Sequence, residues 1–397
     1  MSVTPPAPPP ETDKVYSLRA GIYERAGGIL VPLAATVLAF VIGGLVVLIT
    51  GQNPFTAYKA IFEGAGFNWF LPWVAGEERD AAARDLQQTL RVATPLMLTA
   101  LAVAFAFRCG LFNIGGQGQY WIGFIFALWI GTNLELTKPL HIAIGVVAGI
   151  VGGALWGGIA GLLRATVGAH EVITTIMLNY IAIYGGSYLF EGGGPLQGAV
   201  KTLPRSEVLP DSSRLWILWS PYLHAGFLIA LAALLVYYVV LNRTTIGYEV
   251  RAVGFNPEAA RYSGIPVARS YFLAMAIAGG FAGLAGAVDV IGFKYSVDTS
   301  DFATNFVGFT GIAVALLGRN KAIGIFFASI LFAALTTGTS SRQLDPEIFE
   351  PALATDLATM IQALVIFFVG AEFLIRYIWR ARRHLRGRTA ATREAPI

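Results

Sequence analysis

The residues of this chain whose type and spacing suit chemistry are amides, hydroxyls and a few tyrosines. The stretch Gly110-Leu111-Phe112-Asn113-Ile114-Gly115-Gly116-Gln117-Gly118-Gln119-Tyr120-Trp121 places glycines and three amides at the head of an otherwise apolar run. Asn113 and Gln117 are i, i+4 and are expected to share a helical face, while the glycines permit close backbone approach or an unwound helix start. Amides both donate and accept, which suits an uncharged polar solute, and Tyr120 and Trp121 offer ring faces for stacking. The same residues equally suit helix packing, with small residues at the contact and amides as interhelical glue.

A second polar set follows. Glu171, Thr175 and Asn179 fall at i, i+4, i+8, and Tyr180 and Tyr184 repeat that spacing beside them. Lipid would leave Asn179 unsatisfied, so this face is expected to turn inward, toward a solute pathway or toward structural hydrogen bonds.

The third feature is the segment from Thr245 to Pro266, which includes Arg251. Asn256 is a good N-cap, Pro257 a good first helical residue, and Glu258 complements the positive helix end. Ala259 and Ala260 are small enough for close approach, and Gly264 followed by Pro266 stops the helix. A two-turn helix is too short to stand alone in water, so it needs either its own membrane domain or a partner protein to dock on.

Other chemistry lacks its residues. No Gly-Lys pair occurs, so the chain has no phosphate-cradling G-x-x-x-x-G-K loop, and no two of His141, His170, His224 and His384 are spaced i, i+4 as in a helical metalloprotease. Cys109 is the one cysteine. No catalytic residue, metal site or bound cofactor is expected.

The elements that must carry these features are membrane helices. Hydrophobic residues make up 55% of the 397 and charged ones only 13%, about half the usual share for a soluble domain. This excludes a soluble enzyme, a nucleic-acid-binding protein and a disordered scaffold. Ten stretches of at least 15 residues carry no Asp, Glu, Lys or Arg, the first between Arg25 and Lys59 and the last between Asp356 and Glu372. Each is apolar enough to cross, and the shortest imply broken or re-entrant helices. The fold class expected is therefore all-α and polytopic, with about ten transmembrane helices.

The basic residues choose an orientation. With ten spans both termini share a side, and most Lys and Arg, including the run Arg376 to Arg388, then lie with the termini, which the positive-inside rule places in the cytoplasm. The expected organisation is a Pro-rich cytoplasmic tail over 1–26, a transmembrane domain over 27–378 and a basic cytoplasmic tail over 379–397. Within the domain, 242–270 is a cytoplasmic loop and 191–220 an outer one.

Together, three segments resemble the permease subunits of bacterial ABC importers in the branched-chain amino acid, ribose and nucleoside group. They are Gly110 to Gln119 as quoted, Arg251-Ala252-Val253-Gly254-Phe255-Asn256-Pro257-Glu258-Ala259-Ala260, and Ala313-Val314-Ala315-Leu316-Leu317-Gly318-Arg319-Asn320. The stretch Gly168-Ala169-His170-Glu171-Val172-Ile173-Thr174-Thr175-Ile176-Met177-Leu178-Asn179-Tyr180 looks like the nucleoside-type branch, and the likeness covers roughly 90–375. The resemblance implies a transport subunit rather than an enzyme. It also implies a second permease, itself a paralogue, two cytoplasmic ATPase subunits that use the ATP, and an extracytoplasmic solute-binding protein. With it, Arg251, Asn256 to Ala260 and Gly264 become the coupling contact to the ATPase, and Asn113, Gln117, Glu171, Thr175, Asn179 and Tyr180 the solute pathway. A nucleoside is the expected solute; a ribose-type sugar permease and a secondary transporter of similar solutes are the alternatives.

Overall fold

The computed structural model describes residues 32–340 and 351–370. The expected tails over 1–26 and 379–397 lie outside the described residues. In chain order come α1 (Pro32–Ile49), α2 (Pro54–Gly64), α3 (Gly76–Arg108), α4 (Gly116–Asn133), α5 (Lys138–Val167) and α6 (Glu171–Phe190). A small antiparallel pair, β1 (Ile217–Trp219) and β2 (Leu223–His224), precedes α7 (Gly226–Arg243), α8 (Thr245–Phe255) and α9 (Pro257–Tyr262). Then follow α10 (Val267–Asp289), α11 (Thr299–Thr304), α12 (Val307–Leu317), α13 (Ala322–Gly338) and α14 (Pro351–Gly370).

Each of the ten charge-free stretches holds helix, and the fold is all-α and polytopic as expected. Among the described residues seven spans are long and apolar enough to cross a membrane: α1, α3, α5, α6, α7, α10 extended by a π-helical turn to Lys294, and α11 with α12. The other three are weaker as isolated spans: α4 opens on Gln117 and Gln119, and α13 and the apolar part of α14 are short. The crossing formed by α11 and α12 is interrupted at Asn305 and Phe306, the broken geometry expected of a short span.

The described residues divide into two compact units, one within 52–359 and the other made of 32–51 with 360–370. In the second, α1 buries Ala35, Ala39 and Val47 and exposes Leu38, Leu45 and Ile49. The larger unit is built on α3, α4, α5 and α10. Its central contact is a ladder of small residues: Gly149, Gly153, Gly157 and Gly161, one per turn of α5, lie against α10. A Cβ on Gly157 would fall 3.0 Å from the Cα of Gly279, so the two backbones nearly touch. Such contact lets dispersion and shape hold helices together where lipid removes the hydrophobic drive between them.

Two ends of this bundle can be told apart. At one, the close of α3 meets the turn between α12 and α13, where Arg108 Nη2 donates to the Asn320 carbonyl at 2.9 Å and Tyr237 Oη to the same oxygen at 2.8 Å. Gly254 at the end of α8 packs on Arg108 there, so α8 and α9 belong to this end. At the opposite end the long loop after α6 lies across the segment after α10, with the Ser206 N–H donating to the Val297 carbonyl and the Leu209 N–H to the Tyr295 carbonyl.

Candidate functional site

The amides at the start of α4 fold in on themselves. After α3 the chain turns at Gly110, whose φ of +75° suits a glycine, and Asn113 stands ahead of the helix. The helical face expected for Asn113 and Gln117 therefore does not form. Asn113 Oδ1 instead accepts the Gly115 N–H at 3.0 Å, and its Nδ2 donates to Gln119 Oε1 at 2.9 Å. Gln117 points elsewhere, toward the break before α12: its Oε1 accepts the Gly308 N–H at 2.8 Å and its Nε2 donates to the Asn305 carbonyl at 2.5 Å. All three amides are buried, as are Tyr120 and Trp121, so these two rings have no face free for a solute. Trp121 lies against Phe302 with ring centroids 4.3 Å apart.

The inner face of α6 completes this knot. Asn179 Nδ2 donates to the Ile114 carbonyl at 2.9 Å, and its Oδ1 accepts the Gly118 N–H at 2.8 Å. Thr175 is buried one turn away and donates to the Val172 carbonyl within its own helix. Glu171 opens the helix, where its charge suits the positive end, and pairs with Arg164 at 3.7 Å. Tyr180 does not join them: it is 51% exposed on a face turned about 100° from Asn179, with Tyr184 and Tyr188 above it.

Sequence reasoning missed a polar chain beyond the knot. Tyr120 Oη donates to Asp289 Oδ2, and Asn305 Nδ2 donates to Tyr120 Oη at 3.2 Å. Lys294 and Asp301 pair at 2.8 Å nearby. Asp289 closes a charge-free stretch of the sequence, yet the helix continues past it in π-helical form to Lys294. The one available signal was the placing of Asp289, Lys294 and Asp301 around a single junction. Among the described residues no group of three His, Cys, Asp or Glu could hold a metal ion.

At the other end, the short helix is formed as its residues encode. Asn256 Oδ1 accepts the Glu258 and Ala259 N–H groups, each at 3.0 Å, Pro257 occupies the first turn and Gly264 takes a φ of +81°. Two expectations change. Arg251 lies within α8, a helix capped by Thr244 that the sequence reading took as loop, and bonds the Gly247 carbonyl of the turn before it. Ala260 is 3% exposed, packed inward on its own chain, while Phe255 and Tyr262 are 95% and 93% exposed.

This arrangement is made of amides, hydroxyls and aromatic rings. It offers a tightly knotted broken-helix centre, an aromatic face on α6 and an aromatic-flanked helix at one end. The family described as the permease component of the branched-chain amino acid transport system matches residues 86–370. The chain belongs to this family. It is 35% identical to the guanosine ABC transporter permease NupP of Bacillus subtilis over 89% of this chain and 97% of that one. It is also 35% identical to the nucleoside ABC transporter permease NupB of Lactococcus lactis, over 87% of this chain and 92% of that one. The glucose ABC transporter permease TsgB13 of Haloferax volcanii is 34% identical, with 87% and 88% covered. No solved structure matches the chain.

Proposed function

We propose that this permease forms half of the membrane channel of an ATP-driven importer and that its solute is a nucleoside. The observation that carries the solute is the near full-length likeness to two permeases named for guanosine and nucleosides, from two organisms. The glucose permease supports a second reading, a sugar without a base.

The partners follow from the two ends. Of the two cytoplasmic ATPase subunits, one docks on this chain at the junction of α8 and α9, where Phe255 at the end of α8 and Tyr262 in α9 offer apolar area that their own chain leaves uncovered. A solute-binding protein delivers at the opposite end, and a paralogous permease faces this one across the pathway. Both termini lie in the cytoplasm of the inner-membrane orientation that the basic residues favour. In a background without Cys109, cysteines at positions 10 and 385 are then protected from impermeant reagents in intact cells and one at 207 is labelled. Labelling at both ends reverses the orientation.

Uptake by the complete assembly tests the solute. Guanosine, adenosine, uridine and cytidine compete with one another, and glucose does not. If glucose competes and all four nucleosides fail, the sugar reading replaces this one.

A further inference from the structure

The buried amides are all used by the fold, so something else must meet the solute. Tyr180, Tyr184 and Tyr188 lie one turn apart on the face of α6 turned away from Asn179, and all three are more than half exposed. Tyr180 and Tyr184 stack, with centroids 6.2 Å apart and planes 16° from parallel. Met177 and Ile173 continue the same exposed face.

Lipid is a poor neighbour for this row. Tyrosines favour the membrane interface, where the ring is apolar and the hydroxyl wet, and Tyr188 near the end of α6 fits that pattern. Tyr180 and Tyr184 do not, because they lie about 14 and 20 Å along a helix of about 30 Å, within the hydrocarbon zone. Among the described residues neither hydroxyl has a hydrogen-bond partner, and acyl chains supply none. Two parallel rings with free hydroxyls at their rims match a planar ring that carries donors and acceptors at its edge.

Resting on the nucleoside assignment above, we propose that Tyr180 and Tyr184 form a stacking ladder that guides the base of the solute along α6. The rings give sequence-tolerant contact with any base face, and the hydroxyls meet base edges or ribose hydroxyls in passing. Glu171, Thr175 and Asn179 then position the ladder from behind without touching the solute.

The test uses the complete assembly in proteoliposomes. Replacing both rings, Tyr180→Leu with Tyr184→Leu, is expected to slow guanosine uptake about tenfold through lost stacking, whereas Tyr180→Phe with Tyr184→Phe keeps it within about threefold. Assembly with the partner subunits should be retained in both. A second measurement places Tyr184→Cys in a Cys109→Ser background: a hydrophilic thiol reagent should modify it, and saturating guanosine should protect it. Wild-type uptake by the Leu variant, or a thiol that fails to react because lipid or the second permease covers it, or one that guanosine leaves equally reactive, overturns the ladder alone. A wild-type assembly that imports no nucleoside overturns the nucleoside assignment and the ladder with it.

Discussion

Gln117 in α4 and Gly308 in α12 are joined head to head, the amide oxygen of one accepting the backbone N–H of the other at 2.8 Å. The same side chain holds the Asn305 carbonyl, so one residue closes the break in the crossing formed by α11 and α12. Helix starts leave N–H groups without partners, and at this depth water is absent to fill the gap.

Replacing Gln117 with Leu should therefore act on stability. The buried Gly308 N–H loses its partner at a cost of about 1–3 kcal/mol, and the part-buried Asn305 carbonyl loses its own at a smaller one. Thermal unfolding in detergent should fall while the ranking of competing solutes stays the same. A changed ranking at unchanged stability would place Gln117 on the pathway instead.

The glycine ladder predicts a sharp positional contrast. A Cβ on Gly283 would fall 2.8 Å from the Cα of Gly153, so Gly283→Ala should destabilise by about 1–3 kcal/mol through forced separation of α5 and α10. At Gly185 nothing lies within 4 Å of an added Cβ. There Ala should be neutral or stabilising by up to about 1 kcal/mol, since glycine costs that much inside a helix. Melting temperatures of the two variants, measured side by side, check the contrast.

At α9 the exposed rings and the buried alanine should separate docking from folding. Phe255→Ser with Tyr262→Ser is expected to leave the permease folded but to lose co-purifying ATPase and uptake together. Ala260→Trp, by contrast, overpacks the inner side of α9 and should lower stability by about 1–3 kcal/mol. ATPase retained by the double Ser variant at wild-type level would rule out this surface.

His224 in β2 gives the folded protein a pH dependence. Burial, with the positive charge of Arg91 beside it, lowers its pKa from the ordinary value to about 4, and its Nδ1 accepts the Gly226 N–H at 3.1 Å. The folded state therefore holds the neutral ring while the unfolded chain protonates it near pH 6.5. Stability is complete above that value and is lost as pH falls toward 4. Unfolding temperatures between pH 7.5 and 5 should drop for the wild type and drop less for His224→Asn.

The sequence by itself determined the membrane class, the ten apolar stretches and the helix at Pro257. Those depend on local chemistry: charge is costly in hydrocarbon wherever it occurs, and Asn256, Pro257 and Gly264 act on their own neighbours. Even the α5 ladder was written plainly, as glycine every fourth residue. Which polar groups the fold consumes and which it leaves exposed was decided by tertiary structure alone. Asn113 and Gln117 have the spacing of a shared face, but the helix starts at Gly116, after Asn113, and the two amides turn to different neighbours. Asn179 and Tyr180 are adjacent in sequence and about 100° apart around α6, so the amide meets α4 while the ring stays exposed. Polar residues in a membrane bind whichever partner the packing brings within reach, and for Gln117 and Asn179 that partner lies 61 to 191 residues away, where spacing carries no information.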